Sequence, residues 1–114
     1  MQHQNKKLIH AWLKSFDSVS TKRNYHADIS QFIQWLDNKD IPKVQEKDIR
    51  NFILDLEEKG LSKRTRNRRL ATLKSFYGWL WQNYQIKENP AERIRLERLS
   101  DNEKKFNHLM NGWP

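Results

Sequence analysis

The chain has 114 residues, the size of one small domain, and 36% of them are apolar, including five Trp and five Phe, so a packed core is attainable. It contains no cysteine, which excludes disulfides and thiolate metal sites and suits a reducing cytoplasm; no stretch approaches the roughly 18 consecutive apolar residues of a membrane span, and the run after "MQHQNKK" is too short for a signal peptide. Lys and Arg number 22 against 14 Asp and Glu, a net charge of +8 that suits a polyanionic partner, above all nucleic acid, although a basic domain with a solvated surface has the same total.

Four amphipathic helices are predicted in chain order. The first covers about residues 4–16, where Leu8, Ile9, Trp12, Leu13 and Phe16 recur at helical spacing. The second runs from Val19 to about Asn38, with Tyr25, Ile29, Phe32, Ile33 and Leu36 on one stripe. "DNKDIPK" then breaks the chain, since Pro42 cannot continue a helix. The third helix runs from about Glu46 to Lys59 on Ile49, Phe52, Ile53 and Leu56, and Gly60 stops it as glycine does just past a helix end. The fourth runs from Lys63 to about Tyr84 on Leu70, Leu73, Tyr77, Leu80 and Tyr84. Asn89-Pro90 suits a turn or a short helix over about residues 91–96. Trp79 and Trp81 cannot share one core face; of the two, Trp79 is the one expected to be left for a neighbour, the alternative being a partly buried edge of the core. No strand-type alternation occurs, so the fold class is all-α: a four-helix bundle with a short C-terminal helix or linker.

Charge is sorted by segment. Residues 45–59 are acidic on balance, whereas residues 60–74 contain no acid but carry Lys63, Arg64, Arg66, Arg68, Arg69 and Lys74. Two phrases of the form S-x-x-T, Ser18-Val-Ser-Thr21 and Ser62-Lys-Arg-Thr65, stand before the second and fourth helices. Serine is a favoured N-cap, which places each Thr at the third helical position, where a capping box would carry Glu or Gln. A helix N-terminus presents unpaired N–H groups and a partial positive charge; a Glu there repels an anion, whereas a Thr can donate to one. Both phrases therefore suit phosphate contacts, and both can be simple caps. On the fourth helix the face opposite the core stripe holds Arg64, Arg68, Ala71 and Ser75, flanked by Thr65, Asn67 and Thr72, with Arg69 further round. Arginines at one-turn spacing with small residues between them can enter a DNA major groove. On the second helix the corresponding face holds Arg23, Ala27, Gln31 and Gln34, beside Asn24 and Ser30.

The ordered set S18-x-x-T21-x-x-x-Y25-x-x-D28-I29-x-x-F32, "DIRNFILDL", G60-L-S62-x-x-T65-x-x-R68-R69-L70-x-x-L73-x-x-F76-Y77 and N89-P90-A91 resembles the N-terminal SAM-like, core-binding domain of tyrosine recombinases, the phage-integrase family, especially its Xer type. The resemblance covers roughly Leu8 to Leu96. It departs at Gln45, where Thr or Ser is more usual, and after Leu99, where nothing aligns. It implies a four-helix domain over residues 1–99 that forms one half of a clamp on duplex DNA, with residues 100–114 as a tail or linker toward a catalytic domain that is absent. The implied function is sequence-specific binding of a recombination half-site without DNA cleavage, and the implied parent protein is a recombinase. The implied partners are duplex DNA and, in a full-length protein, neighbouring recombinase protomers; the isolated domain is expected to be a monomer in the cytoplasm, with the nucleoid. The expected DNA-binding residues are Thr21, Lys22, Arg23, Lys63, Arg64, Thr65, Asn67, Arg68, Arg69 and Ser75. Asp28, part of the pattern, is expected to hold the second helix in place by pairing with a basic residue. Tyr25, Tyr77 and Tyr84 lie on core stripes and are read as packing residues.

No cofactor is expected, because nucleotide and phosphate-loop fingerprints are missing. His3, His10, His26 and His108 are scattered, so no metal site is expected either. The rival readings are a helical protein-interaction module or an RNA-binding module with a basic docking face.

Overall fold

A computed structural model describes residues 3–37 and 39–99. Four helices, α1 (His3–Lys14), α2 (Val19–Leu36), α3 (Glu46–Glu58) and α4 (Lys63–Gln82), are joined by short connections, with one 3-10 turn at Ile41–Lys43. No strand occurs among the described residues. The all-α four-helix bundle read from the sequence is the architecture found. The expected tail, residues 100–114, lies outside the described residues.

Helix boundaries follow from local chemistry. Ser18 and Ser62 cap α2 and α4, each hydroxyl accepting the N–H of the Thr three residues on at 3.2 Å. At the N-terminus of α3 the Asp48 carboxylate reaches back to the Gln45 N–H at 2.8 Å, so the acidic side chain of the third position secures that end. Past α3, Gly60 stands at φ 87°, its N–H donating to the Glu57 carbonyl while the Leu61 N–H donates to the Leu56 carbonyl. This is a Schellman stop, and only glycine adopts that backbone without strain. α4 ends with the same pair of bonds, Tyr84 to Trp81 and Gln85 to Leu80, but with Tyr84 in the left-handed region at φ 60°.

α4 is the central element: α1, α2 and α3 all pack against it. The apolar stripes read from the sequence converge on it. Trp12 is fully buried, stacks on Tyr25 at 5.0 Å and meets Phe76 at 5.0 Å, which ties α1 to α2 and α4. Phe32 meets Phe52 edge-on at 5.0 Å and Tyr77 at 6.5 Å, tying α2 to α3 and α4. Burying side chains of this size contributes roughly 1.5–3 kcal/mol each. Two polar groups complete the core. The buried Asn5 amide donates to the Lys39 carbonyl and accepts from the Ile41 N–H, fastening the connection after α2. The Tyr77 hydroxyl donates to the Ile41 carbonyl at 3.2 Å, and burial, with the nearby Asp48 charge, pushes its pKa well above the ordinary phenol value.

Two sequence expectations are corrected. Tyr84 is not a core residue: α4 ends at Gln82, and the left-handed turn throws the Tyr84 ring into solvent, 95% exposed. Trp81, 51% exposed, is the tryptophan left outside, whereas Trp79 packs against the core. Of the two readings of Asn89-Pro90, the turn is the one found: residues 90–93 form a turn that leads into irregular chain, and Lys74 Nζ donates to the carbonyls of Ala91 at 2.8 Å and Ile94 at 2.5 Å.

Candidate nucleic-acid interface

α2 and α4 meet through one buried carboxylate. Asp28 is 7% exposed; its Oδ2 accepts from the Thr72 hydroxyl at 2.9 Å and its Oδ1 from Arg68 Nη2 at 3.1 Å. The pairing expected of Asp28 is present, and Thr72, expected at the edge of the polar face, is buried against it. The Arg68 side chain remains 63% exposed. Its guanidinium is thus held from below by a fixed acceptor while further donors face solvent.

Around this point lie the exposed faces of two helices: Arg23, Asn24, Ala27 and Gln31 on α2, and Lys63, Arg68 and Ala71 on α4. Thr21 and Lys22 are half-buried at the start of α2, as are Arg64 and Thr65 at the start of α4. The Ser62 hydroxyl, while capping, also donates to Thr65 Oγ1 at 3.2 Å, which leaves the Thr65 O–H to donate elsewhere. Neither α2 nor α4 has an acidic residue in its first turn, whereas α3 has Glu46 and Asp48. One chain thus contains two kinds of helix start: α3 carries acids of its own in its first turn, and the first turns of the two Ser-capped helices carry none. Ser75 is half-buried, two turns beyond Arg68.

The basic run divides by direction. Arg69 lines a groove of about 650 Å³ with Gln31, Gln34, Trp35 and Phe52. Arg66 points inward, with its side chain 8% exposed: Nε and Nη2 fork onto the Glu97 carboxylate at 2.9 and 3.1 Å, and Nη1 donates to the Leu61 carbonyl at 2.6 Å. Beside it, the Asn67 amide donates to the Glu97 carbonyl at 2.7 Å and accepts the Glu97 N–H at 2.8 Å. With Lys74 on the carbonyls of residues 91–94, these side chains strap residues 91–97 along α4. In the sequence Arg66 and Lys74 read simply as positive charge, and no motif marks Asn5. Their positions carried the signal: Arg66 stands four residues before Leu70 on the core stripe, and Asn5 four before Ile9.

No group of three or more His, Asp or Glu side chains among the described residues could hold a metal ion, and none of their helices is long and apolar enough to cross a membrane.

Residues 9–83 match the family described as phage integrase, N-terminal SAM-like domain. Among curated proteins the chain is 36% identical over 92 residues to a tyrosine recombinase XerC of Thermodesulfovibrio yellowstonii, covering 81% of this chain and 30% of the relative. It is 34% identical over 86 residues to XerC of Bacillus subtilis, covering 73% and 28%, and 28% identical over 94 residues to XerC of Xanthomonas campestris, covering 80% and 29%. The chain thus spans less than a third of the length of these relatives. No solved structure matches with significance. A family match across most of the helical bundle, carried by α1 through α4, assigns the chain: it belongs to the phage integrase N-terminal SAM-like domain family.

Proposed function

We propose that this domain binds duplex DNA through α2 and α4, as the DNA-gripping N-terminal part of a tyrosine-recombinase-type protein, and does not itself cut DNA. The observation that carries the reading is the contrast between helix ends. α2 and α4 are Ser-capped and acid-free in their first turns and are tied together by Asp28, whereas α3 closes its own N-terminus with Asp48. Backbone N–H groups and Thr65 at the end of α4 suit one phosphate, and those at the end of α2, with Thr21, suit another. Lys22, Arg23, Lys63 and Arg64 supply charge, while Arg68, oriented by Asp28 and flanked by Ala71, suits a base edge in the major groove. Asn67 supports the interface through Glu97, Arg69 lies on its far border, and Ser75 extends the face along α4. The relatives named XerC support recombination as the setting, with a half-site and neighbouring protomers as partners in a full-length protein acting in the cytoplasm.

The experiment is duplex binding as a function of salt. Arg66 and Lys74 bond groups inside the domain, and about four phosphate contacts are expected of Lys22, Arg23, Lys63 and Arg64. The slope of log K against log salt should therefore be near −3.6, rather than about −5 for a fully outward basic run. A preference for structured RNA, or a slope near zero with duplex DNA, would refute the reading.

A further inference from the structure

The residues that make α4 most basic divide into those that can touch DNA and those that cannot, and the second group converges on one segment. Arg66 holds three acceptors at once: both oxygens of Glu97 and the Leu61 carbonyl in the connection that leads into α4. Asn67 clips the backbone of the same Glu97 through both ends of its amide. Lys74 fastens the segment two turns further along. The first two turns of α4 are thus clamped between the Gly60 turn on one side and residue 97 on the other.

We infer that residues 91–97 are a strap that presets the N-terminal turns of α4 for nucleic acid, with Glu97, Arg66 and Asn67 as positioning residues that touch no phosphate. This inference rests on the DNA-binding reading above. A helix N-terminus binds an anion through N–H groups whose directions are fixed by the first turn, and that turn is where an unsupported helix frays. In α4 the Ser62 cap holds the turn from within; the Arg66 fork holds it from outside, and its two bonds fix orientation as well as distance. The Arg66 charge is neutralised where it stands, so it adds rigidity to the interface rather than attraction.

The test compares the wild-type chain with Glu97→Ala and Glu97→Gln. Amide hydrogen exchange without DNA should show protection falling at residues 64–67 in Glu97→Ala while the amides of Ile29 and Phe52 keep theirs. Affinity for a mixed-sequence DNA duplex should fall about fivefold, the scale of couplings through residues that contact no ligand, with an unchanged salt slope. Glu97→Gln, whose amide oxygen can still accept from Arg66, should recover part of both losses. Unchanged exchange at residues 64–67 would overturn the inference. Tighter binding by Glu97→Ala with a slope steeper by about 0.9 would also overturn it, because Arg66 would then be a masked phosphate contact. If the wild-type chain binds no duplex at all, the DNA reading fails, and the exchange measurement still decides whether the strap exists.

Discussion

Replacing Asp28 by Ala removes the buried carboxylate that joins α2 to α4, and the structure sets the size of the effect. The bond from Arg68 is worth little, because a side chain 63% exposed pairs in screened surroundings; about 0.5 kcal/mol is a generous figure. The bond from Thr72 is buried and charge-assisted, a class that contributes about 1.5–3 kcal/mol. Thr72 also has a second acceptor, the Arg68 carbonyl at 3.2 Å, so its hydroxyl is not orphaned when Asp28 goes, and the low end of that range applies. The expected loss is about 2 kcal/mol in urea unfolding, or a fall in Tm of about 8–16 °C for a domain of this size. A double-mutant cycle separates the partners: the coupling of Asp28 to Thr72, measured with Thr72→Val, should exceed its coupling to Arg68, measured with Arg68→Ala. A loss below about 0.5 kcal/mol, or a larger coupling to Arg68, would refute the reasoning that burial decides which bond matters.

Two turn residues should respond with opposite signs. Gly60→Ala should destabilise by about 1–2 kcal/mol through backbone strain alone, since a Cβ there meets nothing within 4 Å. Tyr84→Gly should stabilise by about 1 kcal/mol, because the left-handed position no longer carries a side chain and almost no buried surface is lost; both are read from denaturant midpoints. Acid should weaken the fold in part through Asp48. Burial pushes its carboxyl up, but the Gln45 N–H and the Lys39 ammonium together outweigh that and hold it below the ordinary carboxylate value. Its contribution is therefore complete above about pH 4 and disappears as pH falls below it, so Asp48→Asn should flatten the acid limb of a stability–pH curve.

The fold was legible because its information is local. The stripes on α1 to α4, the Ser caps and the Gly60 stop are all written within a few residues of where they act. The candidate site was only half legible, because the direction of a long basic side chain depends on partners distant in the chain. Arg66 and Arg68 look alike in "KRTRNRRL", yet one forks onto Glu97, 31 residues on, and the other reaches Asp28, 40 residues back. After Pro90 the sequence left a turn and a short helix open, and the choice is likewise tied to distant partners: Lys74 and Asn67, on α4, bond the backbone of the segment that follows, and no pattern within residues 91–97 announces it. Tyr84 misled by continuing the α4 stripe one turn past the point where the backbone turns left-handed.

In the proposed function the N-terminal end of α4 receives a DNA phosphate. Thr65→Glu puts a negative charge at that end, with Gln82→Glu as a control that adds the same charge about 25 Å away at the other end of the helix. The measurement is the affinity of each variant for a DNA duplex at moderate salt. Thr65→Glu should lose at least tenfold, and Gln82→Glu much less. Equal affinities for the two variants would show that Ser62-Lys-Arg-Thr65 only caps a helix and that no phosphate docks there.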